Sequence, residues 1–286
     1  HIFIAMQKLP CYNKGRDNSP QKMPPETGVR QREVYSMKLG AQFYTLRERA
    51  KTPEGLRACF SAMHDIGYEA AQMSAVCQVA PEEFRALSEE FSLPITCTHT
   101  PFSRITEETD DVIREHKIYG CPVIGIGSMP NEYRGSLEGV RAFLRAVAEP
   151  MKKIEAAGLR FAYHNHAFEF DDLGGTDAYS RLIEEAPALN FILDTYWCVY
   201  AGKDPREFIR LFGKERMTNV HFKDMKTSPK GAICPCGAGI IDFAPYVKLC
   251  DELGIPNALV EQDNAPELGD EFEQMAFSYR HLAPLF

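Results

Sequence analysis

Eight short apolar segments recur along the chain, and each is followed by a longer amphipathic segment. The short segments have the length of β-strands, and the longer ones repeat apolar residues every three to four positions, as helices do. This alternation predicts a parallel sheet with crossover helices. Eight such units in about 250 residues fit a single-domain (β/α)8 or TIM barrel better than an open doubly wound sheet. The predicted strands are 38–43, 68–73, 94–98, 122–127, 159–164, 190–194, 219–223 and 257–262. The predicted helices are 53–66, 81–92, 106–119, 136–157, 175–186, 205–212, 242–254 and 269–282.

The first 36 residues depart from this rhythm. They are polar, rich in Pro, Asn, Lys and Arg, and they show no sustained period. Their start lacks the basic region and long apolar run of a secretory signal. We therefore expect residues 1–36 to form an irregular, flexible N-terminal extension, and residues 37–286 to form the barrel domain.

Charge and cysteine usage narrow the function classes. The formal net charge is −8, which argues against nucleic acid as a partner, because phosphate binding needs clustered Lys and Arg. The sequence has no run of about 18 apolar residues, so we expect no membrane span. Most of the nine cysteines lie in apolar segments, as reduced thiols of a cytoplasmic protein do. The C-x-C of Cys234 and Cys236 is a weak metal signal.

Four consecutive predicted strands carry potential metal ligands at their carboxyl ends, where the active sites of barrels lie. These residues are His164, Asp194, His221 and Glu261. Because side chains alternate along a strand, one from each strand can point into the mouth of the barrel. Singly, a His here could be a core residue, and Asp194 could cap a helix that begins at Thr195. Together, imidazole nitrogens and carboxylate oxygens suit Mn, Co, Zn or Fe, and buried charges need such a partner.

Other polar residues near the strand ends are candidates for binding a substrate. Gln42 and His99 end the first and third predicted strands, and we expect both to contact substrate hydroxyl groups. Lys223 shares the parity of His221 along the seventh strand. We expect its ammonium to face a substrate oxygen, while the alternative is a surface pair with Asp224.

Six sequence segments carry a family resemblance. They are LGAQFYTLRE, YHNHAFEF, ILDTYWCVYAGKDP, VHFKDMK, GAGIIDF and LVEQD. Through these segments, residues from about 38 to 284 resemble the xylose isomerase-like barrel superfamily, in the branch of sugar phosphate isomerases and epimerases. The resemblance implies a divalent metal, with Mn as first choice and Co, Zn, Fe or Mg as alternatives. By position, its four ligands match His164, Asp194, His221 and Glu261.

The chain differs from the sugar epimerases of that branch at one ligand. They usually have a glutamate where this chain has His164, and that glutamate belongs to the pair that shuttles the proton. The second proton-transfer group would then be Glu169, His166 or Lys223. Strands five to eight also resemble inosose dehydratases, where His166 would contact substrate. Those enzymes have a His where this chain has Trp197, whose flat indole suits the face of a sugar ring or an aglycone.

The resemblance implies a metal-dependent isomerase or epimerase in carbohydrate metabolism. Glu261 would take the proton next to a carbonyl group of a small sugar or keto-polyol, and the metal would stabilise the resulting enediolate. Loss of a β-hydroxyl from the same enediolate gives dehydration, so a lyase is the alternative. A non-catalytic sugar-binding subunit is the second alternative. The expected partner is a small molecule, and self-association into a homo-oligomer is left open.

Overall fold

The computed structural model describes residues 37–286, and eight parallel strands within them close into a barrel. Each strand pairs with its neighbours in chain order, and the last strand pairs with the first. The predicted TIM barrel is therefore confirmed, whereas the predicted extension 1–36 lies outside the described residues. The strands are β1 (Lys38–Gln42), β2 (Ala70–Met73), β3 (Ile95–His99), β4 (Val123–Ile126), β5 (Arg160–His164), β6 (Asn190–Asp194), β7 (Met217–Phe222) and β8 (Asn257–Val260).

Helices surround the strands and cover the outer face of the barrel. None of the helices within residues 37–286 combines the length and the apolar character that crossing a bilayer requires. The helices are α1 (Pro53–Ile66), α2 (Pro81–Glu90), α3 (Phe102–Glu107), α4 (Thr109–Ile118), α5 (Leu137–Ala156), α6 (Ala178–Glu185), α7 (Thr195–Tyr200), α8 (Pro205–Arg216), α9 (Ala244–Glu252), α10 (Ala265–Leu268) and α11 (Glu271–Leu282).

Local sequence signals set the ends of α1. The Thr52 hydroxyl accepts a hydrogen bond from the Gly55 N–H at 3.1 Å, and Pro53 follows as the first helical residue. At the other end Gly67 takes a left-handed conformation with φ of 113°. A hydroxyl cap, a proline at the first position and a left-handed glycine are the usual signals of helix ends, so the predicted bounds are confirmed.

Small apolar side chains fill the interior of the barrel below its mouth. Cys97, Val123, Ala162 and Ile192 form a buried cluster there, and each comes from a different strand. At Gly125 an added Cβ would lie 2.2 Å from the Thr98 carbonyl oxygen, so this position requires glycine. The interior of the barrel is therefore a packed core, and the active sites of such barrels lie at the carboxyl ends of the strands.

The loop after β7 is folded around Asp224. This carboxylate is buried and accepts hydrogen bonds from four backbone N–H groups, at distances from 2.8 to 3.0 Å. The loop includes a short antiparallel pairing of Asp224–Met225 with Ile233–Cys234. The alternative of a surface pair between Lys223 and Asp224 is therefore wrong, because Asp224 is buried and engaged by backbone groups. The four N–H donors belong to Met225, Gly237, Gly239 and Ile241.

The two cysteines of the C-x-C sequence are buried in that same loop. Cys236 lies with its Sγ 3.4 Å from the Phe222 carbonyl oxygen, and Cys234 belongs to the short antiparallel pair. The groups of possible metal ligands found in the described part of the chain do not include either cysteine.

Candidate metal centre and active site

The four predicted ligands come together at the carboxyl end of the barrel. His164 and Asp194 end β5 and β6, His221 lies near the end of β7, and Glu261 directly follows β8. One ligand atom from each residue lies within 4.8 Å of the ligand atoms of the other three, and all four residues are buried. Four adjacent parallel strands thus deliver a His–Asp–His–Glu cluster to one point.

Two atoms of this cluster have the character of free metal ligands. His164 Nδ1 lies 3.1 Å from the Gly127 carbonyl oxygen, which can only accept a hydrogen bond, so Nδ1 carries the proton and Nε2 keeps its lone pair. His164 Nε2 and Asp194 Oδ2 are buried, lie 3.4 Å apart and have no hydrogen-bond partner within residues 37–286. Burial lowers the pKa of His164 well below its usual value, so the ring is neutral. These two buried acceptors face each other, an arrangement that suits a cation bound by both.

The other oxygen of Asp194 serves the backbone. Oδ1 accepts a hydrogen bond from the Trp197 N–H at 3.2 Å and so caps α7. The Asp194 N–H in turn donates to Asn165 Oδ1 at 2.9 Å. The sequence offered a helix cap and a metal ligand as alternatives for Asp194, and the structure places one carboxylate both at the cap and in the candidate ligand cluster. The cap orients Oδ2 toward the cluster.

His221 and Glu261 are held by glutamines from β1 and β2. The Gln72 Oε1 lies 2.7 Å from His221 Nε2, and Glu261 Oε2 lies 2.9 Å from His221 Nδ1. The His221 ring therefore bridges the Gln72 amide and the Glu261 carboxylate at hydrogen-bond distance. Gln42 Nε2 donates to Glu261 Oε1 at 2.9 Å, and Gln42 Oε1 accepts from the Tyr44 N–H. Gln42 was predicted to contact substrate, but the structure places it behind Glu261.

Lys223 is the buried cation of the centre. Its Nζ lies 3.2 Å from Asp194 Oδ2, 3.1 Å from Glu261 Oε2 and 3.1 Å from Asp263 Oδ1, and its side chain is 1% exposed. The approach to Asp194 is at ion-pair distance without hydrogen-bond geometry. Burial alone would lower the pKa of Lys223, but the carboxylates around it raise that pKa well above its usual value.

The carboxylates around Lys223 outnumber it. Burial alone would raise the pKa of Glu261, but Lys223 and His221 hold it well below its usual range, so Glu261 is anionic. Burial raises the pKa of Asp263 to about 6, so this group is also largely ionised at neutral pH. Three carboxylates thus share one ammonium group, and the remaining negative charge is what a divalent cation would balance.

A cavity of about 280 Å³ opens above the cluster. Neutral rings border it, because burial lowers the pKa of His99 well below its usual value and that of His166 to about 3. Of the predicted substrate contacts, His99, His166 and Lys223 do line the cavity. Its lining includes His99, His164, His166, Lys223, Glu261 and Asp263.

Comparison with known proteins identifies the family. The model of the family described as xylose isomerase-like TIM barrel matches residues 60–278. The chain belongs to this family.

Curated relatives within the family carry a dehydratase name. The inosose dehydratase of Clostridium beijerinckii is 24% identical over 203 residues, which are 58% of this chain and 67% of the relative. The inosose dehydratase of Klebsiella pneumoniae is 26% identical over 160 residues, which are 50% of this chain and 51% of the relative.

Solved structures share the barrel. A sugar phosphate isomerase/epimerase from Parabacteroides distasonis superposes with a TM-score of 0.72 at 20% identity, over 92% of this chain and 99% of that chain. A probable 3-DHS dehydratase from Bacillus anthracis superposes with a TM-score of 0.66 at 11% identity, over 86% of this chain and 99% of that chain. At such identities the likeness shows the fold alone.

Trp197 stands behind the cavity wall of this family member. Its ring centroid lies 5.1 Å from that of His166, and the Lys223 Nζ lies 5.4 Å from the ring centroid. The indole Nε1 is buried and finds no hydrogen-bond partner in the described part of the chain. Trp197 therefore supports two residues that line the cavity, and its direct contact with a substrate stays a prediction.

Asp263 is a site residue that strand ends alone did not identify. It lies two positions after Glu261, where it shares the parity of that ligand, and it lines the cavity beside Lys223. The signal was present in LVEQD, but a role for Asp263 depends on where Lys223 points, which the sequence does not give.

Glu169 was predicted as a catalytic group, and the structure places it beneath the loop after β5. It is fully buried, and it accepts hydrogen bonds from the Tyr163 hydroxyl at 2.6 Å and from the His166 N–H at 2.8 Å. Both carboxylate oxygens are thus engaged inside the loop. This arrangement positions His166 at the cavity.

Replacing Glu169 with Gln should change how stability depends on pH. Burial raises the pKa of Glu169 from 4.5 to about 7, so the folded chain holds this proton more tightly than the unfolded chain does. The stabilisation is complete below the unfolded pKa and is lost as pH rises through the folded one, a change of about 3 kcal/mol. Relative to Glu169→Gln, the wild-type free energy of unfolding in urea should fall by about this amount between about pH 4 and about pH 8. A difference that stays constant with pH would contradict this assignment.

Proposed function

We propose that this chain is a divalent-metal-dependent enzyme that removes the proton next to a carbonyl group of a small sugar or keto-polyol. One observation carries the proposal. A buried His–Asp–His–Glu cluster, in which His164 Nε2 and Asp194 Oδ2 have no hydrogen-bond partner within residues 37–286, lies at the floor of a cavity that also contains an ammonium group. The family to which the chain belongs and the names of its curated relatives support the same class of substrate.

The metal would be held by His164, Asp194, His221 and Glu261, with Mn as the first choice. When bound, such an ion supplies Lewis-acid stabilisation of the negative charge that develops on a substrate oxygen. The donor set of two imidazoles and two carboxylates suits Mn, Co, Zn or Fe. The backbone carbonyl behind His164 and the amide behind His221 fix the direction of each ring.

Glu261 is the proposed base. Its carboxylate is anionic, borders the cavity and is held from behind by Gln42. A carboxylate fixed in this way can accept the proton from a carbon placed above it. Lys223 lies beside it at 3.1 Å and can donate a hydrogen bond to a substrate oxygen, which would orient the carbonyl group.

Dehydration is the fate of the substrate that the geometry favours. Only one proton-transfer carboxylate of the usual epimerase pair is present, because β5 supplies His164 in place of the other. Glu169 has both its oxygens committed to Tyr163 and His166. Loss of a β-hydroxyl needs a single base, because the proton that Glu261 takes can leave with the departing hydroxyl as water, and inosose dehydratase is the name of several relatives.

An isomerase or epimerase is the second candidate, and two histidines favour it. His99 Nε2 and His166 Nδ1 are buried at the cavity without hydrogen-bond partners in the described chain. A neutral imidazole can return a proton to carbon from a side of the substrate that Glu261 does not reach.

The test is a screen in D₂O with Mn²⁺-loaded protein. Inosose and a panel of ketoses are followed by NMR for deuterium at the carbon next to the carbonyl, and by ultraviolet absorbance for an unsaturated ketone. Water loss would identify a lyase, and a deuterated isomer would identify an isomerase or epimerase. Binding without exchange throughout the panel would favour the non-catalytic sugar-binding alternative.

Trp197→Ala should raise KM more than it lowers kcat for the substrate found in that screen. The indole packs against His166 and Lys223, so its loss loosens the binding wall, and we expect a rise in KM of about tenfold. Trp197→Phe, which keeps an aromatic face, is the matched control. A fall in kcat at unchanged KM would mean that Trp197 acts in the transition state instead.

A further inference from the structure

A second pocket lies beside the metal-centred cavity, between α2, α4 and the loops that follow β2 and β3. We call it the α2–α4 pocket, and its volume is about 180 Å³. Ser74 and His99 line both the pocket and the cavity. Ser74 Oγ lies 3.3 Å from His99 Nδ1, so this pair forms the shared wall. A substrate anchored in the cavity can therefore extend over the pair into the α2–α4 pocket.

The lining of the α2–α4 pocket presents apolar surface that is only half-buried. Val76, Val79, Phe84 and Tyr119 contribute side chains to it. The rings of Phe84 and Tyr119 meet edge to face, with centroids 5.8 Å apart. An apolar cavity of about 150 Å³ holds a benzene molecule, so the α2–α4 pocket is large enough for one six-membered ring.

Most of the polar groups in the α2–α4 pocket, with the exception of the exposed Gln78, are engaged with one another or with backbone groups. Thr98 Oγ1 lies 2.8 Å from His116 Nε2 and 2.9 Å from Thr100 Oγ1. Burial lowers the pKa of His116 to about 4, so this ring is neutral. The Arg104 guanidinium donates two hydrogen bonds of 3.0 Å to the Glu115 carboxylate. The guanidinium that a phosphate group would need is already paired with Glu115, and few hydrogen-bonding groups are free to bind a second sugar.

We propose that the α2–α4 pocket is a second substrate subsite, which takes an apolar ring joined to the sugar or polyol held in the metal-centred cavity. The substrate class is then a sugar or polyol conjugate with an apolar ring, such as an aryl glycoside. The sugar or polyol part of this substrate rests on the proposed function. The apolar ring rests on the size of the pocket, the aliphatic and aromatic side chains in its lining and its internally paired polar groups.

The first test uses a ring without a sugar, so it does not depend on the proposed function. 4-Fluorophenol is titrated into the full chain and followed by ¹⁹F NMR. We expect millimolar binding that weakens about tenfold or more in Val79→Phe, which fills the pocket, and in Phe84→Ala, which removes its aromatic wall. Phe277→Ala, which truncates a phenylalanine that is 42% exposed on α11, is the matched control and should bind as wild type. Unchanged binding in both pocket variants, or no binding by wild type, would overturn the proposal.

The second test asks whether the pocket and the metal-centred cavity serve one ligand. Mn²⁺ is paramagnetic, so Mn²⁺ held by the ligand cluster should broaden the ¹⁹F signal of 4-fluorophenol bound nearby, whereas Mg²⁺ should not. Sharp signals from protein that demonstrably holds Mn²⁺ would overturn the link between the two subsites. Failure of the protein to bind Mn²⁺ would instead count against the proposed function, and the titration would still decide the pocket.

Discussion

Asp194→Ala protein is expected to contain no bound transition metal and to have no turnover. Asp194 Oδ2 is the buried carboxylate atom that faces His164 Nε2 at 3.4 Å. Without it, the ion loses one oxygen donor. Lys223 also loses one of its three carboxylate neighbours, so an ion would compete less well with the Lys223 ammonium for the remaining carboxylates. Plasma mass spectrometry of tag-free protein should find about one Mn, Co, Zn or Fe per wild-type chain and a negligible amount in the variant.

The same variant also removes a helix cap, so a matched control is needed. Asp194 Oδ1 caps α7, and Asp204 caps α8 in the same way, through a hydrogen bond of 3.0 Å from the Arg206 N–H. Asp204→Ala should cost a similar stability, about 1 kcal/mol, and should keep its metal. A wild-type protein that binds no metal after incubation with Mn²⁺ would contradict the ligand assignment. That result would favour the non-catalytic sugar-binding subunit over both the lyase and the isomerase or epimerase.

The barrel could be predicted because its signals are local and repeated. A short apolar run was enough to predict each strand. Each helix was predicted from the regular spacing of its apolar residues and from the signals at its ends, such as Thr52 and Gly67. The bounds of β6 and α1 are as predicted, and the other strand bounds differ by a few residues. Helix α7 was foreseen only in the alternative in which Asp194 caps a helix from Thr195, because it is a single short segment directly after β6.

The ligand cluster could be predicted for a geometric reason. Parallel strands present their carboxyl ends on one rim, so strand order and parity suffice to bring His164 and Glu261 together. The partners behind the ligands could not be predicted in the same way. Gln42 holds Glu261 from the neighbouring strand, and Gln72 holds His221 from across the barrel. Those pairings depend on barrel closure and on side-chain rotamers.

Loop residues were the least predictable part of the site. Glu169 lies close in sequence to His164, yet a short turn at residues 168–170 directs its carboxylate back to Tyr163. The direction of such a side chain is set by backbone hydrogen bonds in the loop, which leave no periodic pattern in the sequence. Lys223 is the opposite case, because strand parity predicted its direction while its three carboxylate neighbours became visible only in the structure.

Glu261→Gln is expected to abolish proton abstraction while the fold and a bound metal are retained. The amide keeps an oxygen for the metal, and Gln42 can still pair with the side chain. Lys223 remains paired with Asp194 and Asp263, so no buried charge is left without a partner. An amide cannot accept the proton, so exchange of the substrate α-proton with D₂O should slow by about a thousandfold.

The measurement separates the base from the ligand if it is made at saturating Mn²⁺, with metal content determined on the same sample. Glu271→Gln is the matched control, because Glu271 is also a buried carboxylate but pairs with Arg49 at 2.6 Å away from the cluster. That control should exchange at the wild-type rate. A Glu261→Gln protein that holds Mn²⁺ and still exchanges the proton at the wild-type rate would remove Glu261 as the base. The proton acceptor would then be sought among the remaining groups that line the cavity, first His166 and His99, whose neutral rings can accept a proton there.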